Sequence, residues 1–197
     1  MSFPEITYYI NLEHRVDRKN HIEKELYKVG ITNYIRLNAV YNTEGWKGCT
    51  QSHIQVLEKF MESGLNNCLV LEDDFYFVDH EYSKNILQKF SQEDIEWDIV
   101  LLTCNCKKTK ISNIDYLVKP DKPAQTTAGY IVNKNFAKIL CDNFKRSVEK
   151  NKALDTYWKI LQDNDKYKWY IFEPRLGKQL NGYSDIQNKE VDYTNVL

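Results

Sequence analysis

Cys68-Leu-Val-Leu71 is a run of four apolar residues that breaks, without a transition, into Glu72-Asp73-Asp74. A short stretch with no polar residue suits a parallel strand buried on both faces, and such a strand needs helices above and below it. The rest of the chain supplies them. Ile6–Leu12 is β-branched and aromatic and predicts a first strand. Arg15 to Val29 carries Val16, Ile22, Leu26 and Val29 among charges, a helix that Gly30 ends. Tyr34–Val40 predicts a second strand. Thr50 or Ser52 can cap a helix running to Ser63, with Ile54, Leu57, Phe60 and Met61 on one face and Gly64 as its stop.

Beyond the acidic triplet, Tyr82 to Phe90 reads as a helix and Trp97–Leu102 as another buried strand. Lys107 to Pro123 is lysine-rich and polar, a loop with a short strand at Tyr116–Val118. Ala128–Val132 and Lys168–Phe172 predict strands, Phe136–Val148 and Leu154–Leu161 helices, and the tail from Gly177 a polar loop. Strands alternating with helices indicate an α/β fold: a mainly parallel central sheet flanked by helices, with residues 1–197 as one domain.

Ligands in such folds lie at the carboxyl ends of the strands. The first strand ends in Asn11–Arg18 and the third in Glu72–Asp74, so both clusters open toward one edge of the sheet. With 28 acidic residues among 197, a triplet is unexceptional by chance. Its position makes it informative. Strand alternation would send Glu72 and Asp74 to one side and Asp73 to the other. Two carboxylates on one side repel unless water or a cation separates them, and oxygen-only ligands suit Mn²⁺ or Mg²⁺. The plainer alternative is solvated acids capping the next turn. Arg15 and Arg18, at the start of a helix, match phosphate oxygens; the alternative is an ordinary polar turn with ion pairs. Ser52-His53 follows Gly48-Cys49 at a helix start. A histidine there is either a satisfied structural residue or a ligand, and nothing pairs with Ser52 to make it a nucleophile.

Composition removes several function classes. Lys+Arg of 27 against Asp+Glu of 28 leaves a net charge of −1 with no basic stripe, which sets nucleic-acid binding aside. The 42% hydrophobic share can build a core. The N-terminus, MSFPEITYYINLEHR, has neither a charged leader nor a long apolar stretch, so a cytoplasmic location is expected. The five cysteines lack framework or zinc-finger spacing and are expected to be free, mostly buried thiols. No Gly-x-Gly-x-x-Gly or Walker lysine loop is present.

Six segments, in order, resemble glycosyltransferase family 25. YYINLEHRVDRK is similar to its opening strand and Arg-x-Asp-Arg turn, GCTQSH to its Gly-Cys…Ser-His helix start, and CLVLEDDF to its metal-binding strand end. TTAGYIVNKNFAKIL, ALDTYW and GKQLNGYSDI resemble its later strand–helix, its Asp-containing segment and its closing Gln…Tyr-Ser-Asp-Ile motif. The resemblance implies a glycosyltransferase-A-type fold and an inverting hexose transfer from a UDP-sugar (galactose or glucose) to a hydroxyl of a glycan, lipooligosaccharide or protein. It implies Mn²⁺ or Mg²⁺ held by Glu72, Asp74 and Asp185. It puts Asn11, Arg15, Arg18, Ser52, His53, Asp73, Gln179 and Ser184 around the nucleotide. Asp155 becomes the candidate base, with binding of sugar hydroxyls or helix capping as its other readings. Tyr41–Trp46 and Lys107–Pro123 become the candidate acceptor loops, with peripheral membrane contact where the acceptor is lipid-linked. Two other readings stay open: a nucleotidyltransferase or phosphodiesterase using the same acids, and a catalytically inactive transferase fold serving as a glycan-binding or assembly module.

Overall fold

The structure, a computed structural model, describes residues 3–163 and 166–193. The chain runs β1 (Ile6–Asn11), α1 (Val16–Val29), β2 (Tyr34–Asn38), α2 (Gly45–Ser63), β3 (Asn67–Glu72), β4 (Phe75–Phe77) and α3 (His80–Phe90). It continues through β5 (Ile99–Leu101), β6 (Thr109–Ile111), β7 (Leu117–Pro120), β8 (Gly129–Asn133) and α4 (Lys134–Glu149). It closes with α5 (Leu154–Tyr157), α6 (Lys159–Gln162), β9 (Trp169–Phe172), β10 (Gly177–Gln179), β11 (Gly182–Ser184) and β12 (Lys189–Val191).

Eight strands form one sheet in the order β2-β1-β3-β8-β5-β9-β7-β6. The pairings give six of these strands one direction, with β7 and β8 opposing them. The expected parallel character therefore holds across β2, β1, β3, β5 and β9. β8 is the exception in the centre. The chain reaches it along the carboxyl edge, where Asn105 and Gln125 pair, so it can only descend between β3 and β5.

Alternation along the strands divides the core into two layers. Tyr8, Ile10, Cys68, Val70 and Tyr130 face α2 and α4, whereas Tyr9, Leu69, Leu71 and Ile131 face the α1 and α3 side. α1 presents Ile22, Leu26 and Val29 inward at helical spacing, and Gly30 closes it with φ 79 in the left-handed region. Asp79 caps α3 by accepting from the Tyr82 N–H, and Asn133 caps α4 by accepting from the Phe136 N–H.

Four local expectations need correction. α2 begins at Gly45, a turn before Thr50, although glycine is a poor helix former. Close packing requires the glycines: a Cβ on Gly45 would sit 2.5 Å from Ile186 Cα, and one on Gly48 2.4 Å from the Val40 carbonyl. The helix expected over Leu154–Leu161 is two short helices that meet at the buried Trp158. In the lysine-rich loop, Thr109–Ile111 pairs with the expected strand as an edge hairpin. Finally, the tail from Gly177 is no plain loop: β10 pairs with β4, and β11 with β12.

Candidate active site

Two cavities open at the carboxyl ends of β1 and β3. The larger, about 430 Å³, is lined by Arg18, Ser52, His53, Glu72, Asp73, Asp74, Ser184 and Asp185 among others. The smaller, about 260 Å³, contains Asp155, Thr127, Gln179 and Trp46. Cys49, Glu72, Ser184 and Ile186 line both, so the two are chambers of one cleft. The C-terminal hairpin β11–β12 roofs it. Arg18 Nη2 donates to the Tyr183 carbonyl at 3.2 Å, Arg15 is ion-paired with Asp185, and Ile186 sits against Gly45.

The acidic wall is built where β3 stops. The strand ends at Glu72, and Asp73-Asp74 form the turn into β4. Alternation no longer operates in a turn, so Asp73 does not point away as strand geometry predicts. All three carboxylates line the larger chamber. Asn11 holds Asp73 by donating from Nδ2 to Oδ2 at 2.7 Å, while the same amide donates to the Arg15 carbonyl at 3.0 Å. Arg36 in turn donates to Asn11 Oδ1 at 2.9 Å. Asn11, 1% exposed, thus braces the wall from behind.

Each carboxylate has a distinct environment. Glu72 Oε1 accepts from Thr127 Oγ1 at 2.8 Å and lies 3.3 Å from His53 Nε2. Asp74 accepts from the Gln179 amide at 3.2 Å and lies 3.6 Å from Arg18 Nη1. Burial, then the charges of Glu72 and Asp73, push Asp74 far above the ordinary carboxylate range. Burial pushes Asp73 up to about 6, against the Asn11 hydrogen bond and the arginines. In the smaller chamber Asp155 accepts from the Thr126 N–H at 3.3 Å, and burial followed by the Glu72 charge raises it. Cys49 is raised by burial first and then by Glu72, Asp155 and Asp74, which keeps its thiol protonated.

A family model described as glycosyltransferase family 25 (LPS biosynthesis protein) matches residues 42–158. The chain belongs to glycosyltransferase family 25. Procollagen galactosyltransferase 1-A of Xenopus laevis is 25% identical over 214 residues, covering 89% of this chain and 34% of that protein. Procollagen galactosyltransferase 2 of Homo sapiens is 26% identical over 175 residues, covering 71% and 28% respectively. This family 25 chain therefore spans about a third of the length of the curated relatives it matches. A solved glycosyltransferase involved in the glycosylation of the major capsid of PBCV-1 superposes with a TM-score of 0.59 at 12% identity, over 93% of this chain and 95% of that one. A197 from STIV superposes with a TM-score of 0.51 at 12% identity, over 94% and 92%. These likenesses establish the fold, which is the glycosyltransferase-A-type arrangement that the sequence implies.

Within this family 25 fold, carboxylate oxygens gathered on one wall fit a hard divalent cation. Two half-buried acids, both raised by burial first and then by the charge of Glu72, have the chemistry of a site completed by positive charge. Buried Arg18 Nη1, ion-paired with Asp74 but without a hydrogen bond among the described residues, adds a donor that an anionic ligand would satisfy. Asp185 lines the same chamber but is engaged by Arg15, with His14 at 3.7 Å. Arg15 also donates to Asp17, so it holds the roof down and does not line the chamber. Ser52 has a local role, donating to the Gly48 carbonyl and accepting from the Val40 N–H. Ser184 lines both chambers and accepts from the Gln187 N–H. Residue reasoning missed Arg36, Thr127 and Tyr130. The last two stand in the TTAGY segment, whose run of small residues beside a tyrosine was the available signal. Among the described residues, no helix is long and apolar enough to cross a membrane.

Proposed function

We propose that the chain is a metal-dependent, inverting hexosyltransferase. It takes galactose or glucose from a UDP-sugar and passes it to a hydroxyl of a glycan, lipooligosaccharide or protein acceptor. One observation carries the reading: three carboxylates and Arg18, whose Nη1 makes no hydrogen bond among the described residues, converge on one chamber, and a second chamber containing a raised carboxyl adjoins it through Glu72.

In this reading Glu72, Asp74 and Asp185 hold Mn²⁺ or Mg²⁺, which supplies neutralising charge to a departing diphosphate. Arg18, held in place by Tyr183 and ion-paired with Asp74, offers Nη1 to a phosphate oxygen. Gln179 orients Asp74, and Asn11 orients Asp73. Asp185, were it to hold the cation, would give up its pairing with Arg15 Nη1, while Asp17 would keep the rest of that guanidinium engaged. Asp155, raised by burial, takes the proton of the acceptor hydroxyl, and its Thr126 hydrogen bond fixes its aim. Trp46, in the same chamber, offers a surface on which a sugar ring can stack.

The test is a thermal-shift panel of UDP, GDP and CDP, each with Mn²⁺ and with chelator, followed by hexose transfer from UDP-galactose and UDP-glucose. A ligand at 100 times its Kd stabilises the folded state by about 2.7 kcal/mol, roughly 5–10 °C for a chain of this size. A Mn²⁺-dependent rise with UDP is the expected result. A protein that melts cooperatively and shifts with no nucleotide would remove the donor site.

A further inference from the structure

Cys49 and His53 stand one turn apart on the same face of α2, and Glu72 ends β3 opposite them. The Cys49 sulfur, a His53 ring nitrogen and a Glu72 carboxylate oxygen all lie within 4.8 Å of one another, and all three residues line the larger chamber. Thiolate, imidazole and carboxylate form the donor mixture that borderline-soft cations prefer, unlike the oxygen-only set beside it.

Three details go beyond proximity. His53 Nε2 and Glu72 Oε1 are 3.3 Å apart, longer than the roughly 3.2 Å at which ordinary N–H···O bonds end. Two ligands of a tetrahedral ion with bonds of about 2.0–2.2 Å stand about 3.3–3.5 Å apart. His53 Nδ1 is meanwhile held 3.0 Å from the Tyr130 hydroxyl, with the imidazole fully buried. Metal-bound imidazoles characteristically have such an outer partner; the Tyr130 hydroxyl, which both donates and accepts, orients the ring and accepts from Nδ1–H when Nε2 binds a cation. Thr127 fixes the Glu72 carboxylate in the same manner at 2.8 Å.

The geometry points to a second cation site in the cleft: Cys49, His53 and Glu72 bind a zinc-class divalent ion. As the sulfur–metal bond forms, the thiol proton passes to solvent. The site rests on these three residues and their outer partners, not on the transferase reading, although the two share Glu72. A zinc-class ion here withdraws Glu72 from the oxygen-only set and so antagonises Mn²⁺.

Co²⁺ alone is the probe, titrated into the whole chain, because cobalt–thiolate ligation gives a near-ultraviolet charge-transfer band. The expected result is that band, lost in Cys49→Ser, retained in Asp74→Asn and displaced by Zn²⁺. A band absent from the unmodified chain, surviving Cys49→Ser, or lost in Asp74→Asn overturns the site. His53→Gln provides a second variant should Cys49→Ser not melt cooperatively, and it too should abolish the band. The Mn²⁺-dependent UDP shift, read on the same unmodified chain, separates the two readings: its absence beside a cobalt band behaving as expected would remove the transferase reading and leave the zinc-class site.

Discussion

Glu25 and Asp74 are both acids withdrawn from water, and they are treated in opposite ways. Glu25, 5% exposed on the inner face of α1, accepts from the Phe77 N–H at 2.9 Å and Lys28 Nζ at 3.0 Å, with His80 Nε2 at 2.8 Å. Burial pushes its carboxyl up, but those donors outweigh burial and hold it below the ordinary value. Among the described residues Asp74 accepts from the Gln179 amide and is ion-paired with Arg18 at 3.6 Å, and with Glu72 and Asp73 as neighbours it is pushed up. Burial therefore does not mark a functional acid. The balance of donors does: Glu25 is complete and serves the fold, whereas Asp74 is left short of donors, and the proposed function assigns its completion to a cation.

The largest effect expected from this contrast is that of Asp74→Asn. Transfer should fall about 10²–10³-fold, the loss typical when one group stabilising transition-state charge is removed. The same variant with chelator at pH 7 should melt no lower than the unmodified chain, because a neutral amide replaces an acid crowded by like charge. Glu25→Gln should invert both results. Urea unfolding should show a loss of about 2–3 kcal/mol, since a buried network loses its charge, while the Kd for UDP with Mn²⁺ stays unchanged.

Proton linkage sharpens the contrast further. Unfolded Asp73 gives up its proton near 3.8, whereas the folded carboxyl keeps it to about 6. The folded state thus binds more protons between those values, so metal-free stability should fall by about 1–3 kcal/mol as pH rises across that window. Glu25 works in the other sense, since its lowered carboxyl loses stability only as pH falls toward its folded value. Melting temperature against pH in chelator would check the slope, and Asp73→Asn should flatten it. The smallest effect belongs to Asp17, an exposed acid lowered to about 2 mainly by its hydrogen bond from Arg15. Asp17→Asn should change stability by under about 1 kcal/mol in a urea titration.

Much of this contrast was legible in the chain. The apolar run Cys68–Leu71 and the alternation of Tyr8 with Tyr9 are local patterns that survive folding, so the sheet and the edge carrying the charges could be read directly. Glu72, Asp74 and Arg18 were singled out by residue type at strand and helix ends. What could not be read depends on partners distant in sequence. Glu25 looks like any helix-surface glutamate until β4 offers it the Phe77 N–H, 52 residues away. The resemblance places Asn11 beside the nucleotide, but its hydrogen bond to Asp73 joins residues 62 apart in sequence. The start of α2 was missed because Gly45 and Gly48 argue locally against a helix, and only the close approach of Ile186 and Val40 requires them.

The most direct test is calorimetric titration of Mn²⁺ in the presence of UDP, run on the unmodified chain, Asp74→Asn and Glu25→Gln. The account predicts saturable binding to the unmodified chain and to Glu25→Gln, and none to Asp74→Asn. Binding that persists in Asp74→Asn, or that Glu25→Gln abolishes while the fold is intact, would contradict the assignment of the acidic wall as the cation site.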